Sequence, residues 1–410
     1  MNSSPHVLIL TQYFPPEAGA AASRMSDYAL LLKDAGFKVS VVCERPAYFI
    51  RKNVKSKNVE NWKGINVYRT WVAANKRSTN KDRSFFYLSF MLSGIVRSLR
   101  LEKPTVIWVT SPPLTTAVAG RIISRFRRVP YILDVRDLWP DSVVELDAMK
   151  NSFFIRILEA LERWVYQGAS SISLAVPGFR DRISQKIKRT PDFLDLPNGV
   201  PEFMLTAPAR PVFFENAIKG KFVVLFSGNM GIAQGLERVI EAASLLKNNE
   251  KIMFVFVGDG VKKSDLEKRG RQEGLNNVLF IESQARSEMP SIISAADVGL
   301  VPLRNVDLFK NALPSKMFEY LARKVPVVTN ISGEASEFVK NHHCGIALPP
   351  DHKAEDLARL LCELAENPER CNAMGLAGYT VIQESFTRKY FIQRLINKIL
   401  HEQSTPQSDS

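Results

Sequence analysis

Lys316 is the residue in this chain whose type and neighbours point most directly to chemistry. It lies in Leu313-Pro314-Ser315-Lys316-Met317-Phe318-Glu319-Tyr320-Leu321-Ala322. Proline has no backbone N–H, so Pro314 suits the first turn of a helix. The free N–H groups of that turn, the Ser315 hydroxyl and the Lys316 ammonium then share one helix end, where unpaired donors and the dipole attract phosphate. Glu319 follows one turn later on the same face, placed to accept from a ribose diol. Phosphate at the tip with sugar hydroxyls one turn down suits a nucleotide-sugar. The same residues also fit an ordinary capped helix with a solvated Lys and Glu.

Further loops carry groups that suit such a ligand. Tyr13-Phe14-Pro15-Pro16-Glu17-Ala18-Gly19-Ala20-Ala21-Ala22-Ser23-Arg24 joins small residues, Gly19 among them, to the polar Glu17 and Arg24. Small residues let a backbone approach a ligand closely. Ser227-Gly228-Asn229-Met230-Gly231-Ile232-Ala233-Gln234-Gly235 and Gly258-Asp259-Gly260 each follow an apolar run. Gly228, Asn229, Gln234, Gly258 and Gly260 are therefore candidate nucleotide contacts, and Gln284 counts as another. Neither loop is a G-x4-G-K-[ST] or G-x-G-x-x-G motif. Leu133-Asp134-Val135-Arg136-Asp137-Leu138-Trp139-Pro140-Asp141 is dense in charge and aromatic surface. Asp137 suits a base or a ligand for an acceptor hydroxyl, with Arg24 and Arg136 beside the acceptor. An Arg136–Asp pair shaping a turn is the plainer alternative.

The elements that must position these loops follow from hydrophobic runs. Val7–Leu10, Val39–Cys43, Val106–Thr110, Tyr131–Val135 and Ile172–Ala175 read as strands alternating with helices. Phe222–Phe226, Met253–Val257, Val278–Ile281, Val298–Val301 and Val325–Thr329 restart the pattern. Continuous apolar strands between helices argue for parallel sheets covered on both faces. Four prolines between Leu196 and Lys221 mark a linker. Two doubly wound domains are expected, 1–205 and 206–386. Ligands of such sheets bind outside the strand carboxyl ends, here in a central cleft. Thr387 to Gln403 reads as a closing helix.

Composition narrows the classes. At 410 residues, two domains are the expectation. The four cysteines show no C-x-x-C spacing and the five histidines no H-E-x-x-H pattern, which predicts reduced thiols and no metal site. No apolar run reaches 18 residues, and the polar start followed by strand-sized Val7–Leu10 predicts no signal peptide. Residues 1–205 hold 30 Lys/Arg against 18 Asp/Glu, and 45–103 alone hold 14 against 3. That segment contains Phe85-Phe86-Tyr87-Leu88-Ser89-Phe90-Met91-Leu92-Ser93-Gly94-Ile95-Val96, too short to span a bilayer. Flanked by cations, it suits an anionic membrane surface better than nucleic acid. A core helix with a basic rim is the alternative.

With these residues in view, the chain resembles the glycosyltransferases of family 4, which have the GT-B fold, and within them the WbuB-like transferases of bacterial surface-polysaccharide assembly. The resemblance covers roughly residues 5–400. It rests most on Phe14-Pro15-Pro16-Glu17, Asp137-Leu138-Trp139-Pro140, Pro197-Asn198-Gly199-Val200, Gly228-Asn229-Met230-Gly231, Gly258-Asp259-Gly260 and Pro314-Ser315-Lys316. It implies a retaining transferase without cofactor or metal, binding a UDP-sugar in the C-terminal domain, with the Thr387–Gln403 helix crossing back to the N-terminal one. Lys316 would steady the leaving phosphate and Glu319 the ribose, with Glu17 and Asp137 at the acceptor. Many members carry two glutamates separated by seven residues; Glu319 matches the second, while the first position is Asn311. Many also carry an Arg and a Lys where this chain has Asn229 and Gln234.

The function implied is transfer of a sugar, such as an N-acetylated amino sugar, to a polyprenyl-diphosphate-linked saccharide in O-antigen or capsule synthesis. Its place would be the inner face of the bacterial cytoplasmic membrane. The competing readings are a UDP-sugar 2-epimerase on the same fold and a non-catalytic membrane-surface scaffold. The first has no histidine in any of these loops to work with, and the second leaves Lys316 and Glu319 without a task.

Overall fold

Short apolar runs alternate with helical stretches along the chain, and the structure gathers them into two sheets. The computed structural model describes residues 4–17, 19–46, 57–73, 80–141, 152–189, 191–306, 309–310 and 312–404. The chain divides into two compact units: Met1–Asn198 with Arg388–Ser410, and Gly199–Thr387.

In the first unit the strands are β1 (His6–Leu10), β2 (Lys38–Glu44), β3 (Val59–Trp62), β4 (Ile65–Thr70), β5 (Val106–Ser111), β6 (Tyr131–Val135), β7 (Ser171–Leu174) and β8 (Asp192–Asp195). Their order is β3-β4-β2-β1-β5-β6-β7-β8. Every residue of β1, β5 and β6 is buried, because helices cover both faces, and this is why these strands read as unbroken apolar runs. β3 and β4 were not expected. They form an antiparallel edge hairpin around Lys63-Gly64, both at positive φ as a two-residue hairpin turn requires. β3 alternates exposed and half-buried residues, so it lacks an apolar run.

The closing helix, Arg388–Ser404, belongs to this first unit. Leu395 and Ile399 are fully buried. Arg388 donates from Nε to the Asn198 carbonyl (3.1 Å) and from a terminal nitrogen to the carbonyl and hydroxyl of Ser23, and it pairs with Asp27. Lys398 bridges Asp192 (2.8 Å) and Glu402 (3.0 Å). These contacts tie the closing helix to Ser23 and Asp27 and to Asp192 and Asn198 of the same unit.

The second unit holds β9 (Phe222–Ser227), β10 (Ile252–Val257), β11 (Val278–Ile281), β12 (Val298–Val301), β13 (Val327–Thr329) and β14 (Gly345–Ala347), all parallel in the order β11-β10-β9-β12-β13-β14. The chain winds outward from β9 to β11, then returns to β12 on the other side. Strand order therefore reverses between β9 and β12, the position where open α/β sheets bind ligands.

The division falls at Asn198, seven residues before the expected boundary, and the stretch expected as linker belongs to the second unit from Gly199 onward. It contains short helices at Glu202–Thr206 and Glu215–Ile218, and Met204, Phe214 and Ile218 enter the core. Arg323 donates to the carbonyls of Met204 (3.0 Å) and Ala207 (2.9 Å). The prolines interrupt hydrogen bonding, but the apolar residues between them still dock.

Candidate functional site

The loops after β9 and β10 in the second unit are locked by backbone contact. Gly228 N–H donates to the Val257 carbonyl (2.8 Å) and Met230 N–H to the Asp259 carbonyl (2.8 Å). Gly258 lies at φ +144° and Gly260 at φ +155°. A Cβ on Gly258 would fall 2.0 Å from the Gly228 oxygen, and one on Gly260 would fall 2.5 Å from the Met230 oxygen. Only glycine permits both the conformation and the approach. These glycines serve first to press two strand-end loops together.

Lys316 reaches this place from the helix Ser315–Leu321, which Pro314 precedes in an extended conformation, one position earlier than expected. The Lys316 Nζ lies 3.8 Å from the centroid of the Phe226 ring and 3.6 Å from where a Gly228 Cβ would stand. Burial pushes its ammonium down to about 7, against the opposing pull of the Glu319 carboxylate. Ser315, Lys316 and Glu319 are all half-buried. Tyr320 sets the helix in place. Its buried hydroxyl accepts from Ser227 N–H (2.8 Å) and meets the Ser227 hydroxyl (3.1 Å). A Cβ on Gly299 would lie 2.2 Å from the Tyr320 ring. Sequence reasoning missed Tyr320, although its i+4 spacing from Lys316 puts it on the adjoining face.

The other second-unit candidates divide by what they touch. Gln234 Oε1 accepts from Gly231 N–H (3.0 Å). A Cβ on Gly231 would meet both Asn229 Nδ2 (2.7 Å) and Gln234 Oε1 (2.9 Å), so these two side chains close over their own turn. Gln284 donates to the Glu282 carbonyl (2.9 Å) beyond β11, two strands from β9. Asn311 lies outside the described residues.

In the first unit, Arg24 is buried and its donors are engaged. Nε and one terminal nitrogen bind Asp134 (3.2 and 2.9 Å), and the carbonyls of Pro197 (2.9 Å) and Leu196 (2.7 Å) take the rest. Ser173 donates to Asp134 as well (2.8 Å). Burial opposes the Arg24 charge, but Asp134 prevails and raises its pKa. The expectation that Arg24 touches an acceptor is thereby corrected: it clamps the chain at Leu196–Pro197. Arg136 differs. It donates to the Pro112 carbonyl (2.8 Å), its Nε is buried without a partner, and burial lowers its pKa. Asp137 is half-buried, and Glu17 is buried in the loop before Gly19, whose φ of +111° precedes the helix Ala20–Asp34. Ala18 lies outside the described residues.

Of the basic segment, residues 47–56 and 74–79 lie outside the described residues. The helix Asn80–Leu99 buries Phe86 and Phe90 completely, so these rings are core. Phe85, Leu88, Leu92 and Val96 form its exposed apolar side. A groove of about 480 Å³ beside it is lined by Arg45, Trp71, Leu92, Val96, Arg97 and Arg100, among others. Among the described residues no helix is long and apolar enough to cross a membrane, and no group of three or more His, Cys, Asp or Glu is placed to hold a metal ion.

Comparison with known proteins agrees with this geometry. The family profile described as glycosyl transferases group 1 matches residues 210–381, and the one described as glycosyl transferase 4-like domain matches residues 19–199. The chain belongs to the family 4 glycosyltransferases, enzymes of GT-B fold. WcaI of Escherichia coli (strain K12), assigned as a glycosyl transferase of colanic acid biosynthesis, is 25% identical over 332 residues, covering 77% of this chain and 81% of its own. Sucrose-phosphate synthase of Thermosynechococcus elongatus superposes with a TM-score of 0.76 at 16% identity, covering 97% of this chain and 98% of its own. HepE of Anabaena in complex with UDP-glucose superposes with a TM-score of 0.72 at 16% identity over 97% of this chain and 99% of its own.

Burying Lys316 has a measurable consequence for folding. Its folded pKa, about 7, lies below the value of 10.5 for a free lysine. The unfolded chain therefore holds the proton more tightly, and the penalty is full below pH 7 and fades as pH rises towards 10.5. Lys316→Met should raise the melting temperature at pH 7 by about 2 °C or more, with a smaller gain at pH 10. Equal or lower stability of the variant at pH 7 would contradict the buried ammonium.

Proposed function

We propose that this glycosyltransferase moves a sugar from a UDP-sugar to a lipid-linked saccharide, with retention at the anomeric carbon and without a metal ion, in assembly of a bacterial O-antigen or capsule. The observation that carries this reading is the Lys316 ammonium, partly stripped of water over Phe226 and beside Gly228 at the strand-order reversal. Such a cation favours an anion that arrives without a hydration shell of its own. The UDP-glucose held by HepE and the colanic acid role assigned to WcaI support the donor class and the polysaccharide setting.

In this reading the donor diphosphate lies at Gly228 and Lys316, with the ribose at Glu319. The bond from the anomeric carbon to the diphosphate oxygen breaks, and a bond to the acceptor oxygen forms on the same face. The acceptor proton passes to the leaving phosphate, and UDP departs. Lys316 stabilises the negative charge that develops on that phosphate, a preorganised electrostatic contribution. Glu17, Arg136 and Asp137 face the acceptor, and Arg24 supports them by holding Leu196–Pro197.

A panel of nucleotide-sugars incubated with membrane extract, scored for lipid-linked product, tests the reading. UDP-sugars should be used, EDTA should leave the rate unchanged, and Lys316→Ala should lose about 100-fold in turnover. Near wild-type turnover in that variant, or a strict need for a divalent cation, would contradict it.

The lowered Lys316 pKa also gives a pH dependence. Bound diphosphate restores the charge, so binding above pH 7 takes up a proton. Affinity for the UDP-sugar should fall as pH rises from 7 to 9, by up to about tenfold per unit, while uridine affinity stays level. Calorimetry in buffers of different ionisation heat measures both. A pH-independent affinity for the UDP-sugar would contradict the assignment.

The exposed side of Asn80–Leu99 and the basic groove beside it are the membrane-facing surface in this proposal, with the enzyme at the inner face of the cytoplasmic membrane. Phe85, Leu88 and Leu92 are exposed, so replacing all three with Ser should leave the fold intact. The variant should bind anionic liposomes more weakly at every salt concentration, and wild-type binding should itself fall as salt rises. Activity on a soluble acceptor should persist. Unchanged liposome binding by the variant would place the docking surface elsewhere.

A further inference from the structure

The donor diphosphate carries two formal negative charges, yet the β9 loop that would cradle it, Ser227–Gly235, contains no Lys or Arg. Lys316 stands at the Gly228 end of this loop. Arg304 stands at the other. It follows β12, on the far side of the strand-order reversal from β9.

The backbone around Arg304 is clamped. Its N–H donates to the Ala233 carbonyl (2.8 Å), which fastens it to the β9 loop. Leu303 N–H donates to Asn330 Oδ1 (2.9 Å), and Asn330 Nδ2 donates to the Leu303 carbonyl (2.8 Å). From this base the side chain crosses Gly235, where a Cβ would lie 3.2 Å from Arg304 Cγ. Gly235 has a φ of +57° and no side chain to block the crossing. The Glu237 carboxylate near Arg304 is already paired with Lys262 (3.2 Å). Among the described residues the Arg304 guanidinium makes no hydrogen bond or ion pair, and it is exposed.

We propose that Arg304 is the second cation of the donor site, binding the diphosphate from the β12 side of the β9 loop while Lys316 binds it from the other. A guanidinium suits this task because its planar fork matches phosphate oxygens in pairs. The inference rests on the UDP-sugar reading above and adds to it a residue whose contribution is separable from that of Lys316. Gln234 is next to Gly235, so a lysine substituted there offers a replacement charge at the same end of the loop.

Calorimetric titration of wild type, Arg304→Ala and Arg304→Ala/Gln234→Lys with UDP and with uridine tests it. Arg304→Ala should bind UDP about tenfold more weakly and uridine as wild type does. Gln234→Lys should restore most of the lost UDP affinity. UDP affinity within twofold of wild type in Arg304→Ala overturns the inference. So does an equal loss on UDP and uridine, which would mean a disturbed loop, or a loss that Gln234→Lys does not restore. A wild type that binds no UDP overturns the donor reading itself, and this inference with it.

Discussion

The Lys316 ammonium lies over the Phe226 ring, 3.6 Å from where a Cβ on Gly228 would stand, and Gly228 itself holds a φ of +119° that favours glycine. The ring face attracts the charge by about 1–2 kcal/mol, less than is needed to replace lost water, and its pKa falls to about 7. A cation held this way suits the anionic donor proposed above. The neighbouring structure serves to keep it there. Tyr320 binds Ser227 through its hydroxyl and rests its ring on Gly299, fixing the helix of Lys316 to β9 and β12 together. Without the glycine at 299 the ring would not fit, and the ammonium would lose its position.

The same economy of backbone governs the loops. Gly258 and Gly260 allow the β10 loop to press on Gly228 and Met230, so main-chain contact sets the start of the β9 loop, and Gln234 closes its turn by accepting from Gly231 N–H. In the first unit the corresponding work falls to a buried ion pair. Arg24 and Asp134 satisfy each other and draw Leu196–Pro197 against the strand ends. Breaking such a pair leaves an uncompensated charge indoors, at a cost of about 3–5 kcal/mol. This is why Arg24 serves position, whereas Arg136 donates to the Pro112 carbonyl and keeps a buried Nε with no partner among the described residues.

Much of this was legible in the residues, for physical reasons. Buried parallel strands are continuous apolar runs, so β1, β5, β6, β9, β10 and β12 declare themselves. The Lys316–Glu319 spacing was legible because helix periodicity is strict. The edge hairpin β3–β4 was not, because an edge strand covered on one side lacks the apolar run. Phe86 and Phe90 read as surface groups beside Phe85 because a mostly apolar dozen hides its period, and only packing separates core rings from exposed ones. Arg24 read as a ligand contact because its partner Asp134 is 110 residues away. Long-range pairing of this kind leaves no trace in local sequence, and the same holds for Tyr320 with Ser227.

In the proposed donor site Lys316, its pKa lowered to about 7 by burial, takes up a proton when the diphosphate binds. Titrating the Lys316 side chain by NMR on isotope-labelled lysine, with and without the UDP-sugar, tests it directly. A midpoint near pH 7 is expected in the free protein and one above about 9 when donor is bound. A free-protein midpoint near 10.5, or one that donor does not move, would contradict it.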